Sequence, residues 1–400
     1  MPIPPQWWAA LLADHAVTVS STNQLLNDVV ASVSAPTKPL AIVPGFAPGR
    51  VMRFRRFELL HALGEITTPP VPNFANLSAT WAMVRYIWAF EADPAAIPAL
   101  RRSAAAVDLD FYQKILLSGE IGVGLAALVM KLFFGVTKPG VDVSAALKTP
   151  RYRLHRRRRT RRTPDYLFHN HAFSGHVYIV ECKGNQTSYQ QSINQLSSGA
   201  QQVRCVRFTN NRPTTSLVIA SDLSSTGDVY VLDPPAEEDG VNSGYSFESG
   251  ATDKGRGQWV VEDPERFGRE LARTSAAQLL TYAGDFESAY RVAMVEPSSV
   301  EAPFIPGSRI ATRENDLGVF EGRSSTQSLP DGTVVTLFRG IDAKLRKQLI
   351  ATPESDDGRR DTSAFKDRPF VVVATGPRQQ SLASVSSAGT MLEIRFSARG

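Results

Sequence analysis

Two carboxylates and a lysine stand close together in residues 163–184, TPDYLFHNHAFSGHVYIVECKG. Asp165 follows Pro164, and Glu181 and Lys183 flank Cys182 at the end of a run of strand-forming residues. Side chains alternate faces along a strand. Glu181 and Lys183 therefore share a face with Val177 and Ile179, while Tyr178, Val180 and Cys182 point the other way. A strand apolar on both faces belongs in the middle of a sheet. A charged pair at its end needs a partner or a metal. A hairpin through HNHAFSG would lay PDYLFHN beside HVYIVECKG and bring Asp165 toward Glu181. Two carboxylates within reach of one cation, completed by water and phosphate oxygens, suit Mg²⁺; Mn²⁺ is expected to substitute. Such a metal lowers the pKa of bound water, polarises a phosphoryl oxygen and stabilises charge in the transition state. Lys183 would orient or deprotonate the attacking water.

Immediately upstream lies RYRLHRRRRTRR, residues 151–162. Its eight arginines are Arg151, Arg153, Arg156, Arg157, Arg158, Arg159, Arg161 and Arg162. The chain carries 44 Lys and Arg against 39 Asp and Glu, a net charge of +5. Without those eight the balance is −3, so the basic character resides in this one strip. A concentrated basic strip favours a polyanion, most often nucleic acid, whose phosphates it would grip. The plainer alternative is a solvated arginine run.

The elements that must hold these residues can be read from periodicity. Phe111 to Phe134 reads as a buried helix, broken by Lys138-Pro139-Gly140. Its most apolar part, Ile121 to Phe134, is too short to span a bilayer. Residues 151–158, 164–170 and 176–184 read as three strands, and Gln186 to Val203 as a polar helix. TSLVIASDL and DVYVLDP (215–223 and 228–234) read as further strands. This order gives an α/β (α+β) fold with one central mixed sheet flanked by helices. Residues 1–110 look mainly helical, with helices expected over Trp7 to Leu12, Phe54 to Leu63 and Thr80 to Phe90. Residues 236–258 look like a Gly/Ser-rich boundary. Residues 259–400 read as an α+β region, with Pro264 to Tyr282 as a helix capped by Asp263. The expected units are thus 1–110, 111–235 and 259–400.

Pro164-Asp165, then Glu181-Cys182-Lys183 on the next strand, resembles the PD-(D/E)XK nuclease superfamily. Its restriction-endonuclease-like core runs helix, three strands, helix, strand, and the order over about residues 111–233 is similar to it. The resemblance covers about 120 residues of 400. It implies that Asp165 and Glu181 bind Mg²⁺ and that Lys183 is the catalytic lysine. It also implies an acid on the first core helix, here Glu120, as a further metal ligand. Many members carry a glutamine on the helix after the lysine strand, where NQLSSGAQQV offers Gln195, Gln201 and Gln202. Gln195 matches the QL pattern of the RecB-like branch. Gly199 stands where that branch usually has tyrosine, which leaves Gln201 an equal candidate.

Other constellations are weaker. His155, His169, His171 and His176 cluster near the hairpin and are read as polar loop residues rather than a zinc site. Asp108 and Asp110 read as helix caps. Neither a G-x-S-x-G elbow nor a P-loop occurs. Cys182 and Cys205, the two cysteines, encode no disulfide framework, and a reducing, cytoplasmic setting is expected. MPIPPQWWAALLADH lacks the features of a secretory leader. The expectation is a Mg²⁺-dependent nuclease, an endonuclease acting on DNA, with flanks serving target selection, regulation, homo-oligomerisation or a partner protein. By analogy, large unmatched flanks suit a bacterial restriction or anti-phage defence effector. The alternatives are an RNA nuclease, since backbone contacts do not report the sugar, and a non-cleaving nucleic-acid-binding or assembly module.

Overall fold

The structure, a computed structural model, describes residues 11–32, 40–47, 49–71, 85–91, 99–152, 154–156, 163–170, 176–203, 205–208, 214–224, 227–234, 259–261, 263–295, 310–328, 333–353, 371–376 and 379–398. The chain begins with β1 (Asp14–Ser20), α1 (Asn23–Ser32), β2 (Ala41–Ile42), β3 (Arg50–Arg55), α2 (Arg56–Thr67) and the short α3 (Ala104–Val107). Then come α4 (Phe111–Phe134), β4 (Val141–Asp142), α5 (Val143–Lys148), β5 (Leu154–Arg156), β6 (Tyr166–Asn170), β7 (His176–Asn185) and α6 (Tyr189–Val203). β8 (Val206–Phe208), β9 (Thr214–Asp222), β10 (Asp228–Asp233), β11 (Trp259–Val261), α7 (Pro264–Tyr282) and α8 (Phe286–Ala293) follow. The C-terminal part holds β12 (Ala311–Asn315), β13 (Gly318–Ser328), β14 (Thr333–Asp342), α9 (Ala343–Ala351), β15 (Val371–Gly376), β16 (Gln379–Val385) and β17 (Thr390–Ala398).

A mixed eight-stranded sheet forms the centre, in the order β3-β1-β10-β9-β7-β6-β4, with β2 also on β10. β7 and β9 run parallel, joined by the crossover through α6, and β6 and β7 form the antiparallel hairpin. The alternation along β7 sorts its side chains between two cores. Tyr178, Val180 and Cys182 pack with Leu217 and Ile219 of β9 against α2 and α4. Val177 and Ile179 pack with Val218 and Ala220 against Ile193, Leu196 and Ala200 of α6. Helices therefore cover both faces of β7, as its unbroken apolar run requires.

Helix α4 starts at Asp110, whose carboxylate accepts from the Gln113 N–H at 2.9 Å, and ends at Gly135 in the left-handed region (φ 64°). By length and composition it is long and apolar enough to cross a membrane. Here it is a core helix, buried along Leu117 to Met130 between β7 and α2. Two close approaches fix it on β7. A Cβ on Gly184 would lie 1.9 Å from the Ser118 carbonyl oxygen, and one on Gly122 would lie 2.8 Å from that of Lys183. Only glycine at both positions lets the backbones meet.

The N-terminal region differs from the helical expectation. β1 and β3 join the central sheet, β1 parallel to β10 and antiparallel to β3. Phe54, expected to open a helix, sits in β3, and the helix begins at Arg56. Of the expected Thr80 to Phe90 helix, Arg85 is helical, residues 86–89 form a turn and Phe90 bridges to Arg102, and the rest of it lies outside the described residues, as do Trp7, Trp8 and residues 236–258. The strand expected over 151–158 shrinks to β5 and leaves the central sheet, pairing β11 in a separate sheet of order β5-β11-β8. The edge beyond β6 is the two-residue β4. A short arginine-flanked segment has little apolar surface to bury beside β6, whereas Val141 is fully buried there.

The last region is an antiparallel sheet of order β12-β13-β14-β17-β16-β15. Leu337, Leu382, Leu392, Ile394 and Phe396 join the core that contains α2 and α4. Asp263 caps α7, with Pro264 at its first position, as the sequence suggests.

Candidate active site

The β6–β7 register pairs Tyr166 with Val180 and Leu167 with Ile179. One step further along that register sets Asp165 opposite Glu181. The Cys182 N–H donates to the Asp165 carboxylate at 2.8 Å and anchors it there. Glu181 lies on the α6 face of β7, fully buried, in an ion pair with Lys183, which is 24% exposed and reaches toward solvent. One Glu181 oxygen, Oε2, is buried with no hydrogen-bond partner. A buried anionic oxygen left unpaired is costly unless a cation or proton arrives.

Electrostatics agree with that shortage. Burial, then the neighbouring Asp165 carboxylate, pushes the Glu181 carboxyl up to about 8, with Lys183 pulling the other way. Burial also raises Asp165, offset by the Cys182 N–H and by Lys183. Carboxyls held above their ordinary range contribute stability at low pH and lose it as pH rises; for Glu181 that loss runs up through about 8. A cation held by these groups must displace the Glu181 proton. The apparent Mg²⁺ affinity is therefore expected to climb about tenfold per pH unit between about 6 and 8 and flatten above. Titration calorimetry across that range checks it, and a flat profile would mean that Glu181 is not a ligand.

The donor set fits a hard divalent cation completed by water and phosphate. Asp165 and Glu181 would hold it. Glu120 stands apart: its carboxylate faces Arg85 at 3.7 Å. Among the described residues no group of three His, Cys, Asp or Glu gathers around one point. His176 is engaged with the Thr215 hydroxyl at 2.8 Å, His169 is buried in β6, and His171 lies outside the described residues.

Of the glutamines, Gln195 is placed at the site. Its Nε2 donates to the Gly184 carbonyl at 3.1 Å, and its Oε1 is buried without a partner. Gln202 donates to the Thr163 carbonyl at 3.1 Å and ties α6 to the segment that leads into Asp165. Gln201 has its carbonyl beside the Cys205 sulfur at 3.4 Å, toward the end of the helix. Among the arginines, Arg151 is committed to structure, donating to the carbonyls of Ala293 and Met294 at the end of α8. Arg156 contributes its backbone to β5, while Arg153, Arg157, Arg158, Arg159, Arg161 and Arg162 lie outside the described residues.

Gly199 proves to be part of the site. A Cβ there would lie 2.5 Å from Val218 and 3.1 Å from Cγ of Glu181. The helix backbone itself presses on the buried glutamate, and no tyrosine fits at this position. Gly199→Ala is expected to push α6 off β9 and cost about 1–3 kcal/mol; urea denaturation would show it as a lowered midpoint. Sequence patterning missed this role because a glycine inside a polar helix carries no signal of what it faces.

No protein-family model, no curated protein and no solved structure matches the chain.

Proposed function

We propose that the chain is a Mg²⁺-dependent nuclease of the PD-(D/E)XK kind, hydrolysing phosphodiester bonds of DNA. The observation that carries this reading is the buried Glu181, one oxygen unpaired, beside Asp165 and ion-paired to Lys183 at the end of a central strand. The order around it also supports the reading: a core helix, the β6–β7 hairpin with β4 at its edge, a crossover helix and a parallel strand. A bound metal would supply a nucleophilic water of lowered pKa and neutralise phosphoryl charge. The chain's own groups would do the rest. Asp165 and Glu181 hold their position through the Cys182 N–H and the packing of α6. Lys183 brings its ammonium to the phosphate and to the attacking water. Gln195 offers an unpaired carbonyl oxygen beside the Gly184 carbonyl.

The non-cleaving binding module is the second reading, favoured by one observation: Glu120 is turned to Arg85 instead of joining the two acids. Cleavage of plasmid and single-stranded DNA, with Mg²⁺, Mn²⁺ or EDTA, separates the two. Metal-dependent cutting that disappears in Asp165→Ala supports the nuclease. Binding without cutting, unchanged by Asp165→Ala, supports the module.

A further inference from the structure

The start of α4 presents large apolar side chains to solvent. Phe111 is 71% exposed, Tyr112 77%, Ile115 51% and Leu116 52%. Their rings and aliphatic groups cover one side of the helix's first two turns. The two aromatic rings meet edge to face, with centroids 5.7 Å apart and planes at 73°, which leaves ring faces open. Among the described residues the other exposed large apolar side chains, such as Val51, Leu132 and Met294, are scattered, whereas these four share one helix face, and a patch of this kind marks a binding surface.

Its position points to the occupant. α4 runs antiparallel to β7: Phe134 packs on Tyr178, Gly122 on Lys183 and Ser118 on Gly184. The Lys114 carbonyl accepts from Gln186 at 2.5 Å, three residues beyond Lys183. The helix start thus projects past the end of the strand that carries the candidate site. At 1.5 Å per helical residue, Phe111 lies about 10 Å beyond Ser118. A stacked strand advances about 3.4 Å per nucleotide, so one that rounds the end of β7 from the Lys183 face covers that stretch of α4 in about three nucleotides. Lys114, within the same two turns, and Arg102, which donates to the same Gln186 at 2.7 Å, are half-buried next to it. The nearby acids are Asp108 and Asp110, of which Asp110 is occupied in capping the helix. Aromatic faces within reach of a basic rim suit nucleobases, which stack on such platforms irrespective of sequence. Bases inside a duplex offer no free face, so the platform selects unpaired ones.

We propose that Phe111 and Tyr112 form a base-stacking platform, making single-stranded nucleic acid the substrate class of the Asp165–Glu181–Lys183 site. The proposal rests on the nuclease reading of that site. The test reads binding of the full chain in EDTA, by anisotropy of fluorescein-labelled oligo(dT) and of a matched duplex. The Phe111→Ala/Tyr112→Ala variant is expected to lose about tenfold to a hundredfold in affinity for oligo(dT), with duplex affinity changed less than about twofold. Phe111→Leu/Tyr112→Leu, which keeps apolar bulk but removes the rings, should not restore it. Four outcomes would overturn the proposal: no oligo(dT) binding by the wild type, unchanged affinity in the alanine variant, an equal loss on the duplex, or full rescue by leucine. A fall in molar mass by light scattering, with oligo(dT) affinity intact, would instead make the patch a contact between copies and overturn it too. Because cutting is read separately, in Mg²⁺ and against Asp165→Ala, the platform and the nuclease reading can fail independently.

Discussion

Lys183→Ala is expected to abolish metal-dependent DNA cleavage, by about a thousandfold or more, while nucleic-acid affinity stays within a few-fold. The size follows from the two tasks its ammonium would lose: proton management at the attacking water and stabilisation of phosphoryl charge, each worth about 10² to 10⁴ in rate. The fold should survive for a reason already present at the site. Removing one partner of a buried ion pair usually strands the other charge at a cost of about 3–5 kcal/mol. Glu181 has an escape, because burial and Asp165 already lift its carboxyl to about 8. It therefore already carries its proton in most molecules at pH 7, and without Lys183 it is pushed higher still, so no charge is stranded there. The urea midpoint of Lys183→Ala should therefore track that of the wild type up to about pH 8 and drop below it only at higher pH, where the wild-type loss has ended and the variant's continues. A protein unfolded at pH 7 would make Lys183 a structural residue. Retained cleavage would remove it from the chemistry.

The parts of this site readable from sequence are those that local periodicity writes. Alternation along HVYIVECKG places Glu181 and Lys183 on one face and Cys182 on the other, and the two hydrophobic cores divide the strand that way. The Pro264 helix, with its Asp263 cap, is equally local. What was not readable depends on partners far away in the chain. β1 pairs with β10, more than two hundred residues later, and nothing within DHAVTVS names that strand. The alternation of Met52 and Phe54 in RVMRFR is a strand signal, yet Phe54 merges into the apolar run of α2 and reads there as the start of a helix. The segment at 151–158 has strand character, but which sheet it joins is decided by β11, a hundred residues on. Gly199 looked like a departure from a motif; its meaning appears only once Val218 and Glu181 lie beneath it.

A buried charge ties the C-terminal sheet to the core helices. Glu65, on α2, is buried, in contact with Lys131 of α4, and accepts from the hydroxyls of Ser386 and Thr390, each at 2.5 Å. Its carbonyl accepts from Gln278 of α7 at 2.9 Å. His61, one turn earlier, bonds Ser384 at 3.1 Å and Thr390 at 2.9 Å. One carboxylate thus joins α2, α4 and the turn between β16 and β17. Lys131→Met leaves that charge buried, and a loss of about 3–5 kcal/mol is expected, a large share of the usual 5–15. Lys131→Met/Glu65→Gln removes both charges and should recover part of it. Denaturant midpoints of the two singles and the double would read the coupling directly.

The pH profile gives the sharper test of the same network. Burial alone would raise Glu65, but Lys131, His61 and the hydrogen bonds hold it below its ordinary 4.5. Its contribution is therefore present above 4.5 and lost as pH falls through the lower folded value. Burial holds His61 down at about 4 against an ordinary 6.5, so wild-type stability should begin to fall below 6.5. In Lys131→Met the main pull on Glu65 is gone and burial wins. Its carboxyl then rises above 4.5, and the sign reverses: the Glu65 contribution is present at low pH and lost as pH rises. The gap between wild type and Lys131→Met should therefore narrow as pH falls from 7 toward 4. A gap that stays constant across that range would mean that Glu65 does not carry its charge in the fold.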